Sequence, residues 1–263
     1  MEDQIILIDK PAGISSFGVV ARVRGKLRQE FGKKVKVGHT GTLDPFATGL
    51  LIILTGKMTK KSNEFLKLDK VYEATLKLGY VSTTGDPEGE ITNYSESTKF
   101  TKIEEHKGKI ARRAILAAEG AKQCDKISDL SHCEASEISE FCALNDIELV
   151  LSPFIGKITQ TPPKFSAIRI NGQRAYKLAR QNKDFEIPTR QVEIYSIDIL
   201  DYHYPELKIK VHCSSGTYIR TLAEDIGKSL NTGAYLTALR RTKIAGYSVE
   251  NAKTLDEFQS SVL

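Results

Sequence analysis

Apolar and polar positions along this chain fall into short blocks whose period changes from one block to the next. From Phe17 to Glu30 the residues Val19, Val20, Val23 and Leu27 recur at helical spacing, leaving Arg22, Lys26 and Arg28 for the outside. Ser15-Ser16 stands where a cap belongs, and Gly32 can end the helix. Lys34 to Val37 alternates like a strand, whereas Gly49 to Gly56 is a continuous apolar run between glycines, as in a buried strand. Val71 to Leu78 alternates again, with Tyr72, Ala74, Leu76 and Leu78 on one side, and the Thr-Gly-Asp-Pro-Glu-Gly run that follows reads as a turn. Phe165 to Ile170 is strand-like, Asn171-Gly172 is a hairpin-type turn, and Ala175 to Arg180 returns to helical spacing. Val192 to Ile199 and Leu207 to Cys213 predict two further strands, after which Thr217 can cap a helix from Tyr218 to about Leu230. Strands mixed with helices and joined by hairpins predict an α+β architecture.

The segment from about Ser95 to Val150 breaks this rhythm, being rich in Lys, Glu, Ala and Ser, and reads as an insertion. Lys102 to Gln123 can form a helix exposing Lys107, Lys109, Arg112 and Arg113, either as a plain solvated face or as an RNA contact. There is no internal repeat, and no Pro/Ser/Gly linker long enough to divide the chain into separate domains.

The 263 residues are 40% hydrophobic, enough for a sizeable core, and carry a formal net charge of +5, which mildly favours a polyanionic partner. The amino terminus is acidic where a signal peptide is basic, and no apolar run approaches membrane-spanning length, so a soluble, cytoplasmic protein is expected. Cys124, Cys133 and Cys142 follow one another at nine-residue steps, unlike zinc-ligand spacings, and with Cys213 are read as reduced thiols. Gly25-Lys26 and Gly56-Lys57 lack the Gly-rich loop of a nucleotide site. No motif calls for a metal or an organic cofactor, and none indicates an obligate protein partner.

Residues 38 to 45, Gly-His-Thr-Gly-Thr-Leu-Asp-Pro, set one carboxylate among small and hydroxyl side chains. Pro45 disfavours helical geometry at Asp44, which places the carboxylate on a loop between two predicted strands. By itself such a residue is either a turn carboxylate bonded to nearby backbone or a reactive group held still by its flanks.

The stretch Lys10-Pro-Ala-Gly-Ile-Ser-Ser16 and then Gly38 to Leu50 resembles the opening of TruB-type tRNA pseudouridine synthases. Further blocks follow in that family's order: Tyr72-Glu-Ala, Thr83 to Gly89, Gln160 to Ala167, Gly172 to Arg180, Cys213 to Gly227 and Leu239-Arg-Arg241. The resemblance implies the pseudouridine synthase catalytic fold, with a mixed, mainly antiparallel central sheet, as a single domain over residues 1–263. After Gly246 only a short tail remains, so no separate C-terminal RNA-binding domain is expected. Ile52 replaces a proline common in the family, a change of little expected consequence.

The same resemblance implies conversion of a T-loop uridine of tRNA, position 55, to pseudouridine without a cofactor. That reaction breaks the bond from C1′ to N1, turns the base and rejoins C1′ to C5. Asp44 is then the essential carboxylate, acting by addition to C6, by addition to C1′ or by removing a ribose proton. Arg220 is its cationic partner, although by spacing alone this arginine equally fits a surface position or a phosphate contact. Tyr72 takes the role of stacking on the flipped base and assisting loss of the C5 proton; from pattern alone it is a core tyrosine. Tyr218 and Leu239 would line the uracil pocket, His39 would fill the gap left by the flipped base, and Lys10 would support the site. Residues 160–190 resemble the loop that clamps the RNA stem-loop, with Lys164, Arg169, Arg174, Lys177 and Arg180 as its cations. Two other functions fit the same residues: a synthase for another stem-loop RNA, and an RNA-binding helper that refolds tRNA.

Overall fold

The structure is a computed structural model that describes residues 3–94 and 144–261, apart from 171 and 182. Residues 102–123, where the charged helix is expected, lie outside the described residues, as do Cys124, Cys133 and Cys142. The last part of the expected insertion is helical over Leu144–Leu151, and its Ile147 and Leu151 pack into the main core.

In chain order the strands are β1 (Ile5–Lys10), β2 (Val37–His39), β3 (Thr48–Thr55), β4 (Lys70–Leu78), β5 (Tyr80–Ser82), β6 (Ile91–Asn93), β7 (Gly156–Gln160), β8 (Arg169–Ile170), β9 (Gln173–Arg174), β10 (Arg190–His203), β11 (Glu206–Cys213), β12 (Ala234–Ile244), β13 (Tyr247–Ser248) and β14 (Lys253–Thr254). The α-helices are α1 (Ser16–Phe31), α2 (Ser62–Leu66), α3 (Leu144–Leu151), α4 (Ala175–Arg180), α5 (Ile219–Ser229) and α6 (Leu255–Ser260). The sheet runs β14-β1-β3-β12-β4-β11-β10-β7, with β2 added to β3 and β13 to β12. Its β1–β14 and β3–β12 pairs are parallel and the other described pairs antiparallel, giving the mixed sheet of an α+β fold. Among the described residues no helix is long and apolar enough to cross a membrane.

Local sequence explains the elements that position the site. Ser15 caps α1 by accepting from Gly18 N at 3.1 Å, and Gly32 closes it at φ 65°, a left-handed conformation that glycine adopts without steric cost. Val19, Val20, Val23 and Leu27 bury that helix against Leu51 and Ile53 of β3. The alternate residues of β3, Leu50, Ile52 and Leu54, enter a second cluster with Phe65 and Ile244. Burial on both faces is why this strand is apolar throughout. In β4, by contrast, Tyr72, Ala74, Leu76 and Leu78 face the main core, where α5 supplies Ile219, Leu222, Ala223 and Ile226.

Three expectations are corrected. The strand read over Lys34 to Val37 begins instead at Val37 and continues to His39. Its partner β3 ends at Thr55, and Gly56, which opens a 3-10 helix, bonds Lys36 O through its N–H, so the preceding residues have no strand to pair with. Only Arg169–Ile170 of the span from Phe165 is a strand: Phe165 O accepts from Arg220, and Ser166 O and Ile168 O accept from Tyr176 N and Ala175 N. Thr217 does not cap α5, because its hydroxyl donates to Ser214 O at 3.0 Å. The side chain of Gln160 meets that helix start instead.

Candidate active site

Asp44 lies on the loop between β2 and β3, its side chain one-third exposed. The loop is fastened from below by groups that are themselves buried. The Ser16 hydroxyl donates to Leu43 O at 2.9 Å and accepts from Leu43 N at 2.8 Å, pinning the residue before Asp44. Lys10, fully buried, spends its ammonium on Pro11 O, Ile14 O and Pro45 O at 2.8, 2.7 and 3.1 Å, and Gly13 N also reaches Pro45 O. The residues on both sides of Asp44 are thereby tied to the end of β1 and the start of α1. Lys10 is in this sense a support of the loop, and burial lowers its pKa to about 8 against the opposing charge of Asp44.

Arg220, on the first turn of α5, lies at the centre of the site and is 4% exposed. Its Nε is 3.1 Å from Asp44 Oδ2, a coulombic contact without hydrogen-bond alignment. Its Nη1 donates to Asp86 Oδ2 and Thr84 O, each at 3.0 Å, and its Nη2 to Phe165 O at 2.9 Å. Asp86 in turn accepts from Thr84 Oγ1 at 2.6 Å and Glu88 N at 3.0 Å. One guanidinium thus bridges two carboxylates, one enclosed and one partly exposed. Burial raises the Asp44 pKa, Arg220 pulls it down, Asp86 pushes it up and Lys10 pulls it down again.

Tyr72 stands on β4 beside Arg241 of β12 and is 9% exposed. Burial raises its pKa, and the charge and hydrogen bond of Arg241 oppose that rise. Arg241 is 1% exposed and also holds Leu50 O at 2.8 Å and Gly41 O at 3.1 Å, so a single buried cation joins Tyr72 to the Gly-Thr-Leu-Asp loop. His39, at the end of β2, has a pKa lowered by burial, Arg241 and Arg174, and its Nδ1 finds no hydrogen-bond partner among the described residues. Leu239 packs with Tyr72 and Leu43 in the main core. Tyr218 precedes α5, and its ring lies under the Arg190 guanidinium, 4.4 Å from charge centre to ring centroid.

Lys164, Arg169, Arg174, Lys177 and Arg180 are all exposed. Arg169, Arg174 and Lys177 line a cavity of about 410 Å³ with Gly172, Gln173 and Gln181. Asp44, Tyr72, Arg220, His39, Tyr218 and Leu239, dispersed over 201 positions of sequence, are therefore carried by adjoining elements of one sheet and the helix packed on it. The anchors Ser16, Asp86, Gln160, Arg190 and Arg241 are not singled out by spacing. Asp86 sits in a run that reads as a turn, and a buried arginine in a strand has no periodic signature.

A family model described as TruB family pseudouridylate synthase (N terminal domain) matches residues 28–114 and 121–219. A second, described as tRNA pseudouridylate synthase B C-terminal domain, matches residues 220–263, which contain Arg220, most of α5 and the central strand β12. The chain is 38% identical over 258 residues to a protein of Phocaeicola vulgatus named tRNA pseudouridine synthase B, covering 98% of this chain and 92% of the relative. It is 40% identical over 261 residues to a protein of the same name from Aquifex aeolicus, covering 98% of this chain and 74% of the relative. A solved chain from a Cbf5-Nop10-Gar1 complex has a similar fold, with a TM-score of 0.60 and 24% identity over 96% of this chain and 52% of its own. Models that run along most of the sequence, together with relatives that match 98% of it, settle the family: the chain belongs to the TruB pseudouridylate synthases.

Proposed function

We propose that the chain isomerises a uridine of tRNA to pseudouridine, that the uridine is the one at position 55 in the T-loop, and that Asp44 is the essential carboxylate. The observation that carries this reading is the fixed ion pair between an open carboxylate and a buried arginine, Asp44 and Arg220 at 3.1 Å. Isomerisation needs a group that attacks or deprotonates the nucleoside and remains ionised while a base covers it. A desolvated carboxylate takes up a proton unless a cation compensates. Arg220, immobilised by Asp86, Thr84 and Phe165, supplies that charge without having to reorganise.

A stacked uridine must leave its helix before C1′ is reached. In this reading His39 occupies the gap it leaves, while Tyr72, Tyr218 and Leu239 receive the base. After C1′ rejoins at C5, the proton on C5 must depart, and Tyr72, with Arg241 easing ionisation of its hydroxyl, is the group assigned to assist. The exposed cations of residues 160–190 meet the phosphates of the T-arm. The reaction uses no redox step and no energy source, and it is assigned to the cytoplasm, where tRNA is substrate.

The test is tritium release from a T-arm RNA carrying 5-tritiated uridine, because the new carbon–carbon bond expels the C5 hydrogen. Wild type should release tritium, and Asp44→Asn should bind the RNA without releasing it. Tight binding with no release by the wild type would favour a tRNA-folding role or another RNA target. Turnover by Asp44→Asn would remove Asp44 from its assigned role.

A further inference from the structure

The clamp segment and the base pocket share two residues. Strands β7 and β10 leave and re-enter the sheet at Gln160 and Arg190, which are direct register partners, so this pair closes the base of everything between them. Both side chains turn to the same target. Gln160, 1% exposed, accepts from Tyr218 N at 3.0 Å and donates to Tyr218 O at 3.3 Å, holding both polar groups of that peptide backbone. Arg190 lies over the Tyr218 ring at 4.4 Å and against Gly216, whose φ of +87° and lack of a Cβ leave that space open. Among the described residues the Arg190 side chain has no ion pair, and its buried Nε has no hydrogen-bond partner. An arginine held this way is oriented by the ring beneath it, and the ring by the arginine.

We propose that Gln160 and Arg190 are positioning residues for Tyr218: Gln160 fixes its backbone, Arg190 covers one ring face, and the other face is thereby held for the incoming base. This deepens the proposed synthase reading and rests on it. Two further bonds run the same way, from Arg220 Nη2 to Phe165 O and from Thr221 Oγ1 to Thr161 O at 3.3 Å, so the near arm of the clamp also grips the start of α5. RNA seated on the clamp cations therefore bears on the same strand ends that aim the pocket. Tyr218 is the point where grip and base recognition meet.

Arg190→Met keeps an unbranched stem but removes the guanidinium and its charge, while Arg190→Lys restores a cation on a stem of similar reach. Single-turnover tritium release at saturating T-arm RNA should fall roughly tenfold in Arg190→Met and recover most of the loss in Arg190→Lys, with RNA affinity changed less than about twofold. An affinity loss with an unchanged saturated rate would overturn the proposal and make Arg190 a phosphate contact; an unchanged rate and affinity would overturn it outright. An activity-independent arm separates this from failure of the synthase reading. With 3-fluorotyrosine incorporated, the Tyr218 fluorine resonance, assigned by its loss in Tyr218→Phe, should shift in both Arg190→Met and Gln160→Met. A resonance unmoved by either change would overturn the proposal even in an enzyme that turns over normally.

Discussion

Ser16 and Leu43 exchange two hydrogen bonds across 27 residues of sequence, the hydroxyl donating to the carbonyl and accepting from the amide. Ser15, its neighbour, caps the same helix. Two adjacent serines of the same chemistry therefore do different work: one starts a helix, the other anchors the residue before the candidate catalytic carboxylate. Ser16→Ala strands both buried Leu43 groups, at a cost of roughly 1–3 kcal/mol. Urea unfolding should register that loss, and turnover should fall more steeply than stability because the Asp44 loop is what comes loose.

Asp86 is buried against Arg220 and acts on Asp44 through its charge, without touching it, so its replacement separates charge from contact. Burial, then Arg220, then Asp86 set the Asp44 pKa, and Asp86 acts upward. Asp86→Asn removes that upward push while keeping an oxygen for Arg220 Nη1. The acid limb of the rate profile should move to lower pH, and the plateau should drop as Arg220 loses one charged anchor. A limb that stays in place would show that the titrating group is not Asp44.

Lys10 and Lys70 are buried, and burial lowers both to about 8 from an ordinary 10.5. Between those pH values the unfolded chain binds more protons than the folded one, so stability rises with pH across the window, by at most ~1.4 kcal/mol per pH unit for each lysine. Below about pH 8 both are charged in the folded state, and the full burial penalty applies. Denaturation from pH 7.5 to 10.5 should show this rise, and Lys70→Met should remove part of it. An equal slope in the two proteins would exclude Lys70 as a contributor.

Arg174, Lys177 and Arg180 are exposed. Each replaced singly by alanine should weaken RNA binding and reduce the slope of log affinity against log salt by about one. Binding to an Asp44→Asn background measures this without turnover. Unchanged slopes in all three would take the phosphate contacts away from this segment.

Several features of this protein are determined by local sequence alone. Ser15, the valines and Leu27, and Gly32 specify α1; the apolar run specifies the doubly buried β3; alternation puts Tyr72 on the core face of β4; Pro45 keeps Asp44 out of a helix. Each depends on neighbours within a few residues, and dihedral preference and hydrophobic period act at that range. The strand expected over Lys34 to Val37 is displaced because its partner β3 ends at Thr55, and Thr217 is no cap because its hydroxyl is taken by Ser214 O while Gln160, 58 residues before Tyr218, meets the helix start.

Only the tertiary structure decided which charges meet. Arg220 faces Asp44 and Asp86 across 176 and 134 residues, Arg241 reaches Gly41 across 200, and Arg190 covers Tyr218 from the far end of the clamp. No periodicity encodes these distances. They follow from the order of strands, which sets β12 between β3 and β4 and brings the start of α5 over the loop of Asp44. A buried arginine is tolerable only where carbonyls and carboxylates already converge, and that convergence comes into being when the sheet closes.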